Sequence, residues 1–91
     1  MKLYDPFKSK AKNKKYSVYV IKDDNIKLIH FGDTRYQHFF DKIGDYSALN
    51  HLDQDRRNRY LKRSMKIRNG KGELTAHDIT SPNYWSINYL W

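Results

Sequence analysis

The sequence predicts a small α+β domain, built from a β-hairpin, a short aromatic helix, a long basic helix and a C-terminal aromatic helix. Two patterns support this fold class. Residues 16–31 alternate with a period of two, as strands do, and the residues after Gly32 repeat apolar side chains at helical spacing. A chain of 91 residues has room for one hydrophobic core, so a single domain is expected.

The hairpin is predicted from two short runs that are rich in β-branched and aromatic residues. YSVYVI begins at residue 16 and IKLIHF begins at residue 26. The intervening KDDN contains Asp and Asn, which tolerate left-handed backbone and bond their own main chain, so it favours a tight turn. We therefore expect strands over residues 16–22 and 26–31.

The first helix is predicted over residues 34–43. Asp33 or Thr34 can cap its start, and Gly44 can end it. Four apolar residues fall at positions i, i+3, i+4 and i+7 of this segment, namely Tyr36, Phe39, Phe40 and Ile43. Such a stripe buries one side of a helix, so this segment is expected to pack on the hairpin.

A long basic helix is predicted over residues 53–68. Asp53 or Asn50 can cap its start, and Gly70 follows its end. Acidic residues in the first turn and basic residues in the last both suit the helix dipole. The helix has a narrow apolar face, formed by Tyr60, Leu61, Ser64 and Met65.

The C-terminal aromatic helix is predicted after a polar connector at residues 71–78. Ser81 can cap this helix, and Pro82 suits its first turn. The residues that follow are too apolar for a tail and are expected to dock on the core or on a partner. They are Tyr84, Trp85, Ile87, Tyr89, Leu90 and Trp91.

The net charge of +8 is distributed in blocks. Residues 1–15 hold six lysines and one aspartate, and residues 56–71 hold eight basic and no acidic residues. Residues 16–55 and 72–91 are net acidic. Such segregation favours a surface for a polyanion, either nucleic acid or an acidic face of another protein. Residues 1–15 are interpreted as a basic N-terminal arm that precedes a domain of residues 16–91.

The two basic blocks supply the predicted contacts to nucleic-acid phosphates. The apolar face of the long helix is committed to the core, which leaves cations on its other side. The predicted contacts are Lys10, Lys12, Lys14, Lys15, Arg59, Lys62, Lys66 and Arg68. Few amide side chains accompany them, so binding is expected to be indifferent to base sequence.

The sequence shows little sign of a metal site, a cysteine-based site or a membrane-spanning segment. The chain has no cysteine, and no run approaches the roughly 20 apolar residues of a membrane span. His51, Asp53 and Asp55 are close in sequence but lack a recognised zinc-ligand spacing. No catalytic residue, metal or cofactor is predicted. The first residues lack the apolar centre of a signal peptide, so synthesis in a cytoplasm is expected.

An enzymatic alternative rests on a distant similarity to the GIY-YIG nuclease module. VY in one strand, FG in the next and a following Arg resemble that module, with Tyr19, Phe31-Gly32 and Arg35 as the matching residues. No glycine precedes Tyr19. Glu73, the one glutamate, lies in the connector and not on a later helix.

A broader resemblance covers residues 28–91. HFGDTRY, HLDQDRRNRYLKR and SPNYWSINYLW resemble a family of small basic proteins of uncharacterised function, encoded by tailed phages and large DNA viruses. The matching residues are Phe31, Gly32, Tyr36, His51, Asp53, Arg56, Arg57, Tyr60, Arg63, Leu90 and Trp91. The chain departs from the pattern at Ser64, where the family usually has His, and in a longer segment before His51. The resemblance implies a viral setting without naming an activity.

The His/Asp cluster beside the arginines is interpreted as structural. Asp53 can cap the basic helix and accept a hydrogen bond from Arg57 at i+4. Trp91 would close the core behind this cluster. The expected network comprises His51, Asp53, Arg56, Arg57 and Tyr60.

The charge pattern and the two resemblances indicate three alternative functions. The first is a non-enzymatic structural component of a virion, made in the host cytoplasm and associated with the capsid or connector. Its expected partners are other virion subunits and the phosphates of packaged DNA. The second is a nucleic-acid-binding protein that is not part of the particle. The third is a relative of the nuclease module.

Overall fold

The computed structural model describes residues 2–91 and confirms the α+β class. Three antiparallel strands form one sheet in the order β1-β2-β3. The strands are β1 (Phe7–Lys8), β2 (Lys14–Lys22) and β3 (Asn25–Asp33), and the α-helices are α1 (Gln54–Ser64) and α2 (Pro82–Tyr89). Short 3₁₀ turns at Ser47–Leu49 and Thr75–His77 precede the two helices.

The predicted hairpin is present as β2 and β3. Its tip has Asp23 and Asp24 at φ values of 52° and 64°, so both turn residues adopt the left-handed backbone that Asp tolerates. Ile21 lies opposite Ile26, and Tyr16 lies opposite Phe31. The strands extend two residues beyond the predicted range at the open end of the hairpin, to Lys14 and Asp33.

Residues before position 16 do not form a detached arm. Phe7 and Lys8 pair with β2 as a third strand, and the Phe7 ring stacks on Tyr19 with centroids 5.5 Å apart. Ser17 donates a 2.8 Å hydrogen bond to Ser9, and its hydroxyl oxygen lies 2.6 Å from His30 Nδ1. The predicted boundary between arm and domain is therefore wrong, because apolar and hydroxyl side chains between the lysines tie this segment to the sheet.

The hydrophobic core lies between one face of the sheet and α2. Alternate residues of β2 and β3 point into it, since side chains two apart share a face. The core residues are Tyr16, Val18, Val20, Ile29, Phe31, Trp85 and Leu90. Helix α2 spans the predicted residues: Ser81 accepts a hydrogen bond from Asn83 N, and Pro82 occupies the first turn.

The predicted helix over residues 34–43 is wrong. Asp41 bends the chain there, because its carboxylate accepts hydrogen bonds from the main-chain N–H groups of Ile43, Gly44 and Tyr46. These bonds compete with the main-chain pairing that a helix needs. The aromatic stripe is consequently split, and the side chains of Tyr36 and Phe40 are exposed.

The basic helix is also shorter than predicted and ends at Ser64, not at residue 68. Arg68 instead forms an isolated β-bridge with Leu74, and Ile67 O accepts hydrogen bonds from both the main chain and the hydroxyl of Thr75. Asn83 of α2 donates to Ser64 O and satisfies a carbonyl at the helix end. Side-chain and β-type hydrogen bonds thus replace the last turn.

We expect Gly32→Ala to destabilise the protein. Gly32 has φ +76°, and a Cβ placed there would lie 2.8 Å from Leu90 Cδ1 and 2.9 Å from Lys15 Cδ. Strained backbone and overpacking together should lower the free energy of unfolding by about 2–4 kcal/mol. Urea denaturation measures this change. The control is Gly70→Ala, where a Cβ meets nothing within 4 Å. A similar small loss in both variants would contradict the expectation.

Candidate functional site

A groove of about 630 Å³ opens between the end of β3, helix α1 and helix α2. Four separate segments contribute to it: the start of β2, the end of β3 with the residues after it, the middle of α1, and α2 with the residues that follow. Its lining is Lys14, Lys15, His30, Phe31, Gly32, Asp33, Tyr36, Gln37, Arg56, Arg59, Tyr60, Arg63, Pro82, Asn83, Ser86, Leu90 and Trp91. We call this surface the basic groove.

One wall of the basic groove is a row of arginines on α1. Arg56, Arg59 and Arg63 are three, four and seven positions apart, which places them on one helical stripe. Only two ion pairs form within residues 2–91, Lys2–Asp5 and Arg35–Asp33. The three guanidinium groups therefore have no carboxylate partner among the described residues, and their charge is available to an anion.

The one carboxylate in the groove lining is already neutralised. Arg35 binds Asp33 with both Nε and Nη2, at 3.0 Å and 2.7 Å. These hydrogen bonds hold the pKa of Asp33 well below its usual range, so the carboxylate stays ionised and paired with Arg35. Asp33 thus does little to reduce the positive charge of Arg56, Arg59 and Arg63.

Lys15 borders the groove, but its side chain is enclosed by the protein. The side chain is 2% exposed, and Nζ donates to Tyr36 O at 2.9 Å and lies 2.8 Å from His38 Nδ1. Burial lowers the pKa of Lys15 to about 8, although Asp41 and Asp33 act in the opposite direction. The prediction that Lys15 contacts phosphates is therefore wrong, because its amine is enclosed and its hydrogen bonds are used internally.

His38 continues this buried network. Its Nε2 lies 2.6 Å from Asn50 Oδ1, which also accepts a hydrogen bond from Asp41 N. An Asn oxygen only accepts, so Nε2 carries the proton and Nδ1 accepts from Lys15. Burial, reinforced by the Lys15 charge, lowers the pKa of His38 and keeps the ring neutral. We call Lys15, His38, Asn50 and Asp41 the buried polar network.

The predicted cap of α1 is present, but one predicted pair is not. Asp53 accepts hydrogen bonds from Asp55 N and Arg56 N, as an N-cap does. Arg57 does not pair with the Asp53 carboxylate. Its Nε donates a 2.6 Å hydrogen bond to Trp91 O, and its guanidinium lies 5.1 Å from the centroid of the Phe39 ring. Aromatic and main-chain partners have replaced the expected i, i+4 ion pair.

Trp91 joins the end of the described chain to α1. Its ring stacks on Tyr60 with centroids 4.0 Å apart and planes 7° apart, and the Arg63 guanidinium lies 5.9 Å from the Tyr60 centroid. The His51 ring packs against Trp91, and His51 Nε2 is a buried atom without a hydrogen-bond partner among the described residues. His51 Nδ1 accepts from Asp53 N, so the unpartnered Nε2–H faces aromatic surroundings.

The predicted phosphate contacts divide into two groups. Lys14 and Arg59 line the basic groove with exposed cations, whereas Lys15 is buried. The remaining five lie outside the groove, namely Lys10, Lys12, Lys62, Lys66 and Arg68. Sequence reasoning missed Arg56 and Arg63 as groove residues. Their spacing from Arg59 on the helix could have indicated a shared face with Tyr60.

The residues of the family pattern converge on the same place. Eight of the eleven line the basic groove: Phe31, Gly32, Tyr36, Arg56, Tyr60, Arg63, Leu90 and Trp91. The other three, His51, Asp53 and Arg57, surround the first turn of α1 behind it. The residues of the pattern therefore form the lining of one groove and the helix start next to it.

The residues quoted for the nuclease module do not meet at one site. Tyr19 stacks on Phe7 on the outer side of the sheet, and Arg35 is bound to Asp33. Glu73 accepts from Asn69 near a separate depression. Residues 2–91 contain no group of three or more His, Asp or Glu side chains arranged to hold a metal ion. No helix in the described chain has both the length and the hydropathy to cross a membrane.

We expect the buried amine to make stability depend on pH. Between pH 8 and about 9.5 an unfolded chain keeps the Lys15 proton, whereas the folded protein loses it, since its pKa is about 8. The free energy of unfolding should therefore rise with pH, by at most about 1.4 kcal/mol per pH unit. Urea titrations at several pH values measure the slope.

Lys15→Met should remove this rise, although the variant is less stable because the acceptors on Tyr36 and His38 lose their donor. Lys42→Met changes an exposed lysine and should keep the rise. Equal slopes in wild type and Lys15→Met would show that another group is responsible.

Comparison of the chain with protein-family models, with curated proteins and with solved structures gives no significant match. The resemblance to the viral family therefore stays a hypothesis. The basic groove combines three guanidinium groups that have no carboxylate partner among residues 2–91, one exposed lysine, and aromatic rings at the rim.

Proposed function

We propose that the protein is a non-enzymatic nucleic-acid-binding protein that holds backbone phosphates in the basic groove. The observation that carries this proposal is the row of Arg56, Arg59 and Arg63, which faces one groove without a carboxylate partner among the described residues. Lys14 adds a fourth cation from the sheet side. A ligand between them meets positive charge from two directions.

Phosphate suits this wall for geometric reasons. A guanidinium group presents a planar set of N–H donors that binds two phosphate oxygens at once, which lysine does not do. The groove also keeps aromatic and apolar surface beside the charges, from Tyr36, Tyr60 and Pro82. Cations beside aromatic rings are typical of nucleic-acid surfaces and less so of sites for inorganic anions.

A second candidate function, a structural component of a virion, is favoured by the outer face of the sheet. This face lies opposite the core and exposes a group of apolar side chains, Phe7, Ile21, Ile26 and Leu28, each 38–54% accessible. Phe7, Leu28 and Ile26 lie opposite alternate residues of β2, so these side chains share one face of the sheet. An apolar patch of this kind suits contact with another protein subunit. The two functions are compatible if the protein faces a packaged genome.

Charge reversal on α1 tests the first proposal. Arg59→Glu removes a cation from the groove wall, and Lys62→Glu makes the same change on the same helix outside the groove. We expect Arg59→Glu to weaken binding to duplexes of any sequence by at least tenfold at about 50 mM salt, and Lys62→Glu to have a clearly smaller effect. Fluorescence anisotropy with random and defined duplexes measures both.

Salt dependence adds a second readout. Four phosphate contacts predict that the logarithm of the affinity falls with the logarithm of salt at a slope of about −3.6, and Arg59→Glu should flatten it by about 0.9. Equal losses in both variants would place the contact on the whole helix surface. Absence of binding at low salt to both duplex and single-stranded DNA would refute the nucleic-acid proposal and assign the groove to an acidic face of a protein.

Particle composition tests the second candidate. Mass spectrometry of purified virions of the source virus should find this chain at a fixed copy number relative to the capsid subunits. A chain abundant in infected-cell lysate but absent from purified particles would rule out the structural role.

A further inference from the structure

The rim of the basic groove holds an aromatic ring that the fold leaves uncovered. The Tyr36 side chain is 66% exposed, more than any other large hydrophobic residue between residues 2 and 91. Its main chain is nevertheless fixed, because Tyr36 O accepts from the buried Lys15 amine and Tyr36 N donates to Asp33 O at 3.1 Å. The backbone is held in place while the ring projects to solvent.

Tyr36 is placed beside the first cation of the arginine row. The next residue, Gln37, accepts a 2.9 Å hydrogen bond from Arg56 Nη1, which joins the loop to α1. The Arg35 guanidinium lies 5.9 Å from the Tyr36 ring centroid. A flat aromatic surface thus stands at one end of the charged wall, in contact with the groove.

The dimensions of the wall suit a short stretch of one strand. From Arg56 to Arg63 the helix rises about 10 Å, since each residue adds about 1.5 Å. This equals the rise of about three nucleotides along one strand of DNA at about 3.4 Å each, so the wall fits the phosphates of one strand. A groove of about 630 Å³ is also in the size range of sites that enclose a small molecule.

The exposed ring distinguishes between paired and unpaired nucleic acid. Bases in a duplex are stacked on one another and do not reach a side chain at a groove rim unless they are extruded. An unpaired base has a free face and stacks readily on tyrosine. We infer that the basic groove binds an unpaired nucleic-acid strand, with phosphates along Arg56, Arg59 and Arg63 and a base on the Tyr36 ring. This inference rests on the proposed function and names its ligand.

The test compares a labelled dT20 strand, a 20-base-pair duplex and the mononucleotide dTMP by fluorescence anisotropy and competition, using the full chain. Wild type should bind dT20 more tightly than the duplex, and dTMP far more weakly than either. Tyr36→Ala should weaken dT20 binding roughly 5- to 150-fold, the range of one lost base stack, and leave duplex binding within twofold. Tyr36→Phe keeps the ring and should bind dT20 as wild type does.

The matched control is Phe40→Ala, which removes another exposed ring of the same loop outside the groove and should leave dT20 binding unchanged. Thermal melts confirm that each variant is folded. The inference is overturned if the duplex binds as tightly as dT20, if Tyr36→Ala leaves dT20 binding unchanged, or if dTMP competes as well as dT20. In these cases Arg59→Glu still reports on the proposed function, which fails only if neither dT20 nor the duplex binds.

Discussion

The buried polar network is the interaction on which the rest of the structure depends. Residues 34–53 contain no α-helix or strand, so their position is fixed by scattered main-chain hydrogen bonds, such as Phe40 N to Leu90 O, together with hydrogen bonds from side chains. Lys15 reaches Tyr36 and His38, and Asn50 joins His38 to Asp41. In a low-dielectric interior such bonds are strong and specific, and leaving any of them unmade is costly. The network therefore sets where the loop meets the groove.

A second constraint places the arginine wall. Among the regular elements, α1 packs mainly on α2, and the additional support comes from Trp91 stacked on Tyr60 and bonded to Arg57. Aromatic stacking adds about 0.5–1.5 kcal/mol beyond the burial of the rings. This stacking holds the Tyr60 face of the helix against Trp91, and the arginine stripe lines the groove opposite the end of β3. The charge of the groove is thus controlled by residues that are themselves uncharged.

The elements that the sequence predicted are those whose information is local. Strand alternation, the KDDN turn, the Asp53 cap and the Ser81-Pro82 start each depend on a few neighbouring residues. The helix over 34–43 failed because Asp41 and Asn50 bond main-chain groups that periodicity does not reveal. The burial of Lys15 was missed for a similar reason, since a lysine within a basic block ordinarily lies at the surface.

The site could be predicted in part. The predicted contacts Lys14 and Arg59 both line the groove. The helical spacing of Arg56, Arg59 and Arg63 indicates a shared face, but the sequence near α1 does not fix which face of the helix meets the groove. That orientation depends on Trp91, which lies 28 residues after Arg63. Because the groove is assembled from segments between residues 14 and 91, an isolated peptide that spans α1 would carry the three arginines without the opposing wall from the sheet.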